Sequence, residues 1–267
     1  MSPVTPATPA IFITGAGAGI GRAVALRFAQ AGWLVGATDV QASALSALKA
    51  DMGPAARCFT AELNVVDAEG WARVLSDFAQ VSGQRLDVLF NNAGVSVTAP
   101  FEEADLRRHH LVVDVNLKGL INGCHHALPW LKATPGSRVV NMCSASALHG
   151  QPMLASYAAT KSAVRSLTEA LDIEWRRHGV RVVDLLPLFV DTAMVRDDVS
   201  RMKTVGLLGV RLTADDVAQA VWCLAQGSPA RLPLHTHVGL QTQLFALLSK
   251  LSPTAINHWV TARLGGY

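Results

Sequence analysis

The amino-acid sequence predicts an α/β fold, a single doubly wound parallel sheet flanked by helices and followed by a C-terminal helical extension. Two patterns lead there. Short apolar runs rich in β-formers alternate with longer runs of helical periodicity. The first apolar run also feeds a glycine-rich turn that opens a helix. Half of the 267 residues are hydrophobic, so one domain can bury about three-quarters of the surface its unfolded chain exposes.

Taken in order, residues 1–9 are rich in Pro, Thr and Ala, with no basic start and no apolar core, and are expected to be a frayed tail rather than a signal peptide. The first strand is Ala10 to Thr14. A helical run from Arg22 to Ala31 follows, with Val24, Leu26 and Phe28 placed to pack. Further strands are expected at Trp33 to Thr38, Arg57 to Leu63, Val88 to Asn91, Ser137 to Cys143 and Arg181 to Leu186. Helices are expected at Asp67 to Val81, at Phe101 to Leu131 with Pro129 closing it, and at Ala155 to His178. This main domain spans 10–239. The extension, 240–267, belongs to the same domain: Leu240, Leu244, Phe245, Leu247, Leu248 and Leu251 form an apolar stripe at helical spacing, and a second short helix follows Pro253. No second domain, repeat or low-complexity tract interrupts the alternation.

Strand, glycine-rich turn and helix in that order bring bare amide N–H groups and a helix N-terminus to a pyrophosphate. The turn residues are Gly15, Gly17, Ala18, Gly19, Ile20 and Gly21. Gly15 permits the tight turn, Gly19 lets the backbone approach the ligand, and Gly21 lets the helix lie close to the sheet. The second strand ends at Asp39, the spacing expected of an acid on the adenosine ribose. A carboxylate there accepts from the ribose hydroxyls of NAD and repels the 2′-phosphate of NADP. Ala16, Gly17, Ala18 and Val40 supply no compensating cation, and Arg22 lies past the turn on a solvated helix face. NAD is therefore expected over NADP.

The other informative stretch is Ser144 … Tyr157-Ala158-Ala159-Thr160-Lys161. Residues four apart on a helix stand about 40° apart and about 6 Å along the axis, so Tyr157 and Lys161 share one site. An ammonium beside a phenol favours the phenolate, and the expectation is a lowered Tyr157 pKa and a proton donor and acceptor near neutral pH. Ser144, at the end of a strand-like run, adds a hydroxyl toward the same substrate oxygen.

Together these motifs resemble the short-chain dehydrogenase/reductase family from about Ala10 to Ala225. Thr14-Gly15-x-x-x-Gly19-x-Gly21 matches its cofactor turn, Asn91-Asn92-Ala93-Gly94 its central strand end, Asn116 its helix asparagine, and Ser144, Tyr157 and Lys161 its catalytic trio. The resemblance implies a Rossmann-type fold and a nicotinamide facing Tyr157. It implies that Tyr157 exchanges the hydroxyl proton, Ser144 steadies the oxygen and Lys161 holds the nicotinamide ribose. Asn116 would anchor a water leading toward Lys161, and the backbone from Asn91 through Asn92, Ala93 and Gly94 would line the adenine-ribose side. It also implies a homodimer or homotetramer built through the two long helices.

The chain departs from the family pattern at several points. Where an Asp-Val pair is usual after the third strand, Asn64-Val65 stands, and the Asn64 amide oxygen is expected to accept from the adenine amine. In Pro187-Leu188-Phe189-Val190-Asp191-Thr192 a leucine replaces a glycine, so a left-handed backbone there would cost about 1 kcal/mol or more. Either that turn differs or Leu188 fills part of the pocket. Pro187, Val190 and Thr192 keep their places beside the nicotinamide. A glycine-rich end to the last strand is also missing near Arg231 to Gly239.

The net charge of +3 is too small and scattered for a nucleic-acid surface. Cys58, Cys124, Cys143 and Cys223 lack C-x-x-C spacing and read as reduced, mostly buried thiols of a cytoplasmic protein. No apolar run reaches membrane-spanning length. His109-His110, His125-His126, His235 and His237 are expected at surfaces or interfaces, with no metal site, because adjacent helical residues diverge by about 100°. Arg196, Arg201 and Lys203 sit either toward an acidic substrate or on the outer face of a mobile lid. The expected pocket wall is apolar: Leu148, Met153, Leu154, Leu188 and Phe189, with lid residues Met194, Val195, Met202, Val205, Leu207 and Leu208. Such a wall suits a small-molecule lipophilic secondary alcohol or ketone better than a sugar. The C-terminal stripe packs on a partner subunit or the domain's own core, or else serves as a lipophilic-substrate lid or weak membrane contact.

Two functions follow from these residues. One is an NAD(P)-dependent oxidoreductase with Tyr157 as general acid/base. The other is a catalytically idle dinucleotide-binding sensor or scaffold. Retention of Tyr157, Lys161, Ser144 and Asn116 favours the enzyme. A serine hydrolase would need a G-x-S-x-G elbow, and a nucleotide hydrolase a glycine turn ending in Gly-Lys-Ser/Thr, and the chain has neither.

Overall fold

The computed structural model describes residues 8–198 and 202–267. Most of the expected frayed tail, the whole of Arg201 and the side chain of Met194 lie outside the described residues. Seven strands are present: β1 (Ala10–Thr14), β2 (Leu34–Asp39), β3 (Cys58–Glu62), β4 (Val88–Asn91), β5 (Arg138–Met142), β6 (Arg181–Pro187) and β7 (His235–Val238). They form one parallel sheet in the order β3-β2-β1-β4-β5-β6-β7. The order reverses between β1 and β4, which opens a crevice at the carboxyl ends of the strands. This is the Rossmann-type arrangement. Six strands were legible in the sequence. The seventh, His-Thr-His-Val, is a short and polar edge strand that pairs only with β6.

Both faces of the sheet are covered, so its central strands are apolar throughout. In β1, Ile11 and Ile13 enter one core while Ala10 and Phe12 enter the other. Helices α1 (Gly19–Gln30), α2 (Ala42–Met52) and α9 (Ala214–Gln226) build the first layer; α3 (Ala68–Ser82), α5 (Gly119–Ala133) and α6 (Ala155–Trp175) build the second. A third, smaller cluster of Leu154, Met202 and Val205 packs against Tyr157, Phe189 and Val195.

The single helix expected from Phe101 to Leu131 is a series of pieces. A 3-10 turn at Phe101–Glu103 precedes α4 (Leu106–Val113), whose cap Asp105 accepts from Arg107 N–H at 2.9 Å. A π turn at Asp114–Lys118 then leads into α5. Pro129 does not close it. It sits inside α5, where the buried anchors Ala127 and Leu131 on either side outweigh its lost hydrogen bond. Beyond β6 come α7 (Ala193–Asp198) and α8 (Lys203–Leu208), and beyond β7 come α10 (Leu240–Leu251) and α11 (Thr254–Gly265). The extension folds back on its own chain. Gln241 Nε2 donates to Leu208 O at 3.0 Å and Thr204 Oγ1 to Leu264 O at 3.3 Å, which ties α10 and α11 to α8.

Candidate active site

The glycine turn is fixed from the strand ends. Thr14 Oγ1 accepts from the N–H groups of Asn92 and Ala93 at 3.0 and 3.1 Å. The Asn92 amide donates to the carbonyls of Thr14 and Gly15, both at 3.0 Å. At Gly21 the requirement is space: a Cβ there would lie 2.1 Å from Gly15 O. Its bareness thus seats the helix on the turn itself, a closer neighbour than the sheet. Helix α1 starts at Gly19 with no side-chain cap, so its first N–H groups are free to meet an anion. Asp39, at the end of β2, accepts from Gly17 N–H at 2.9 Å and from Gln41 N–H at 3.1 Å. Arg22 is paired with Asp51 on α2.

A cleft of about 340 Å³ runs along the strand ends above this turn. Of the residues singled out in the sequence, Gly15, Gly17, Ala18, Gly19, Ile20, Asp39, Asn92, Ala93, Gly94, Ser144, Tyr157, Lys161, Pro187, Val190 and Thr192 all line it. Asn64 and Val65 do not. Asn64 Oδ1 instead accepts from Val66 N–H at 3.1 Å, closing a local turn, and Val65 is buried in the core beside Trp71. The residues fit a nicotinamide dinucleotide. Uncapped amides suit its diphosphate and the Asp39 carboxylate its ribose hydroxyls. The missing side chain of Gly19, whose Cβ would come within 3.4 Å of Thr192 Cγ2, keeps the space between the walls open.

Ser144 follows β5, and its hydroxyl accepts from Ser146 N–H at 3.2 Å, which caps a 3-10 turn. Tyr157 and Lys161 lie on α6, with Lys161 Nζ 5.5 Å from the phenol ring centroid. Lys161 is buried and donates to Met142 O at 2.7 Å. The Tyr157 pKa shifts opposite to the expected lowering. Burial pushes the phenol up to about 12, against a partial offset from the Ser144 hydroxyl. The same burial lowers Lys161. Desolvation penalises each charge more than its neighbour rewards it.

Asn116 is placed by the π turn, and its amide is already engaged. Oδ1 accepts from Val95 N–H at 2.8 Å, and Nδ2 donates to Val95 O at 2.9 Å and Thr160 Oγ1 at 3.3 Å. The side chain clamps the segment after β4 to α6. Asn91 turns away from the cleft and donates to Asn141 Oδ1 at 3.0 Å.

Leu188 needs no left-handed backbone: among the described residues only Gln84 and Met153 have positive φ without being glycine. Its side chain lines both the cleft and an adjoining chamber, where Leu154, Phe189, Val195, Met202 and Val205 supply the large apolar part of the wall. Three expected wall residues are elsewhere, and one of them, Leu207, is exposed on α8. Leu148 packs on the second core, and Met153, at φ 66°, turns its carbonyl to accept from Ala99 N–H at 3.1 Å. Sequence reasoning missed Ser96, Ser146 and Gln151 on this wall. Their only signal was polarity near otherwise apolar loops. Arg196 pairs with Asp191 at 2.6 Å outside the chamber. His109 is not at the surface. It is buried between α4 and α6, stacked on Phe101 and bonded to Ser156 and to Phe101 O, because it occupies the inward face of α4. His235 is likewise enclosed, with Nδ1 2.9 Å from Asp184 Oδ1 and Nε2 3.1 Å from Glu169 Oε1. Of the cysteines, Cys124 and Cys143 are buried while Cys223 is exposed.

A Rossmann-type sheet whose switch-point cleft ends on a tyrosine, a lysine and a serine defines an NAD(P)-dependent oxidoreductase. Residues 9–203 match the short chain dehydrogenase family model. The chain is 33% identical over 234 residues to sulfoacetaldehyde reductase 2 of Chromohalobacter salexigens, covering 85% of this chain and 90% of that one. It is similar in structure to a 3-ketoacyl-(acyl-carrier-protein) reductase of Brucella melitensis complexed with NADH (TM-score 0.79, 26% identity, 88% of this chain and 98% of that one). A short chain dehydrogenase of Burkholderia cenocepacia in complex with NADP is also similar (TM-score 0.79, 25% identity, 96% and 97%). The protein belongs to the short-chain dehydrogenase/reductase family.

Proposed function

We propose that the protein is an alcohol dehydrogenase/carbonyl reductase that moves hydride between NAD and a hydrophobic secondary alcohol or ketone. The observation that carries this reading is the position of Tyr157. It lines both the dinucleotide cleft and the apolar chamber, and Ser144 and Leu188 stand with it at the junction. A substrate carbon in the chamber thus meets the cleft beside the phenol.

When bound, the nicotinamide supplies the hydride acceptor or donor. In reduction Tyr157 gives its hydroxyl proton to the forming alkoxide, and in oxidation it takes the proton back. Ser144 donates to the same oxygen as its charge grows. Lys161, fixed on Met142 O, keeps N–H donors free for the ribose hydroxyls and holds positive charge near the phenol. Asn116 acts as a positioning residue through Val95. Preference for NAD is supported by Asp39 in the cleft wall and by Arg22 being turned to Asp51. Exposed apolar side chains on α4, α5 and α6 (Leu106, Leu111, Ile121 and Ile173) support assembly into a homodimer or homotetramer.

A panel of alcohols and ketones followed by nicotinamide absorbance, with each cofactor, tests the reading. Apolar secondary alcohols or ketones turned over faster with NAD(H) are the expected result. Turnover confined to sugars or other polyols would contradict it.

A further inference from the structure

Building on the carbonyl/alcohol reading above, we infer that the substrate site continues past Tyr157 into a second chamber roofed by the chain's own C-terminal helices. This chamber takes the uncharged far end of an unbranched, medium-length substrate. Its wall brings His149 together with Thr204 and Leu208 of α8, Phe245 of α10, and Thr261 and Leu264 of α11. The two chambers share Ala145, Ser146, Gln151 and Leu188, so one runs into the other. The roof is held in place by the bonds from Gln241 to Leu208 O and from Thr204 to Leu264 O, and by Gly265 pressed against Pro152.

Size and charge narrow the occupant. The inner and outer chambers are small, with about 60 and about 30 Å³ of space for the centres of water-sized groups, which favours a slim chain over a bulky ring system. Among the described residues no Asp, Glu, Lys or Arg lines either chamber. A carboxylate, sulfonate or phosphate at the far end would lose its hydration and find no counter-charge. The polar groups there, His149, Gln151 and Thr261, are hydrogen-bonding side chains suited to a neutral oxygen. Most of the rest of the wall is aliphatic or aromatic, so each methylene that enters is rewarded.

The test uses the full-length protein with saturating reduced cofactor and straight-chain methyl ketones from butanone to decanone. It adds one matched pair of keto compounds ending in a methyl ester or a carboxylate. Wild type should gain up to about fourfold in kcat/KM per methylene until the outer chamber is full, then decline, and should favour the ester at least tenfold. Leu264→Trp should cut the ratio of long-ketone to short-ketone kcat/KM at least tenfold, while Phe245→Ala should move the optimum to longer chains. Residual short-ketone turnover reports that each variant is folded. An equal loss across the series in both variants, or a carboxylate handled as well as its ester, would overturn the second chamber and leave the carbonyl/alcohol function standing. No turnover of any ketone by wild type would overturn both.

Discussion

One carboxylate, Asp39, and one phenol, Tyr157, carry most of the chemistry at the scale of single residues. Asp39 is oriented before any ligand arrives, because the amides of Gly17 and Gln41 hold its two oxygens. Asp39→Ala should weaken NAD binding about tenfold or more, the loss of a charged hydrogen-bond acceptor. It should also raise the ratio of NADP to NAD affinity. Titration with both cofactors measures this, and an unchanged ratio would assign discrimination to another residue. Tyr157 is the second case. Spacing alone suggested an acidified phenol, yet burial dominates and the group is held as the neutral acid. A neutral phenol is already the correct proton donor for carbonyl reduction. The sequence could place Tyr157 beside Lys161 because i and i+4 geometry is local. It could not weigh their shared desolvation, which depends on residues brought in from distant parts of the chain, such as Leu154, Met202 and Val205 around Tyr157.

At the scale of elements, what was legible follows from periodicity, and what was not follows from tertiary packing. β1, β4 and α10 fall where apolar patterns place them. The interrupted helix between Phe101 and Ala133 was hidden because the π turn at Asp114–Lys118 contains no proline or glycine, and Gly119 after it continues as the first residue of α5. The break becomes visible only through the contacts of Asn116 with Val95 and Thr160. The last strand, expected near Arg231 to Gly239, is the polar β7, and its His235 joins β6 to α6 by bonding Asp184 and Glu169. That cluster makes the sheet edge sensitive to pH. Its hydrogen bond to Asp184 raises the His235 pKa, so the stabilisation is complete below the ordinary histidine pKa and is lost as pH rises through the raised value. Burial also raises Asp184, so the deprotonated pair is the less favoured state. The stability advantage of wild type over His235→Gln should therefore be larger near about pH 6 than near about pH 9. Urea midpoints across that range measure it, and an advantage that grows with pH would contradict the ion pair.

For the molecule as a whole, the sheet's switch point and the C-terminal helices together decide what meets the phenol. The dinucleotide half of the site was readable because its parts are short, local signatures: a strand, bare glycines, a helix start and an acid at the next strand end. The substrate half was readable only as apolar, since its walls come from segments as distant as Ser96, Leu188 and Leu264. Among the described residues no helix is long and apolar enough to cross a membrane. The exposed leucines of α10 lie on the outer side of a roof whose inner side meets the chamber.

The account rests on Tyr157 passing the substrate proton at a cleft that binds the dinucleotide independently. The most direct test compares wild type and Tyr157→Phe for two quantities at once, cofactor affinity by fluorescence titration and turnover of an apolar ketone. The account predicts cofactor affinity within about threefold of wild type and turnover reduced by about 10²-fold or more, the scale of a lost general acid. Near-normal turnover by the phenylalanine variant would contradict it.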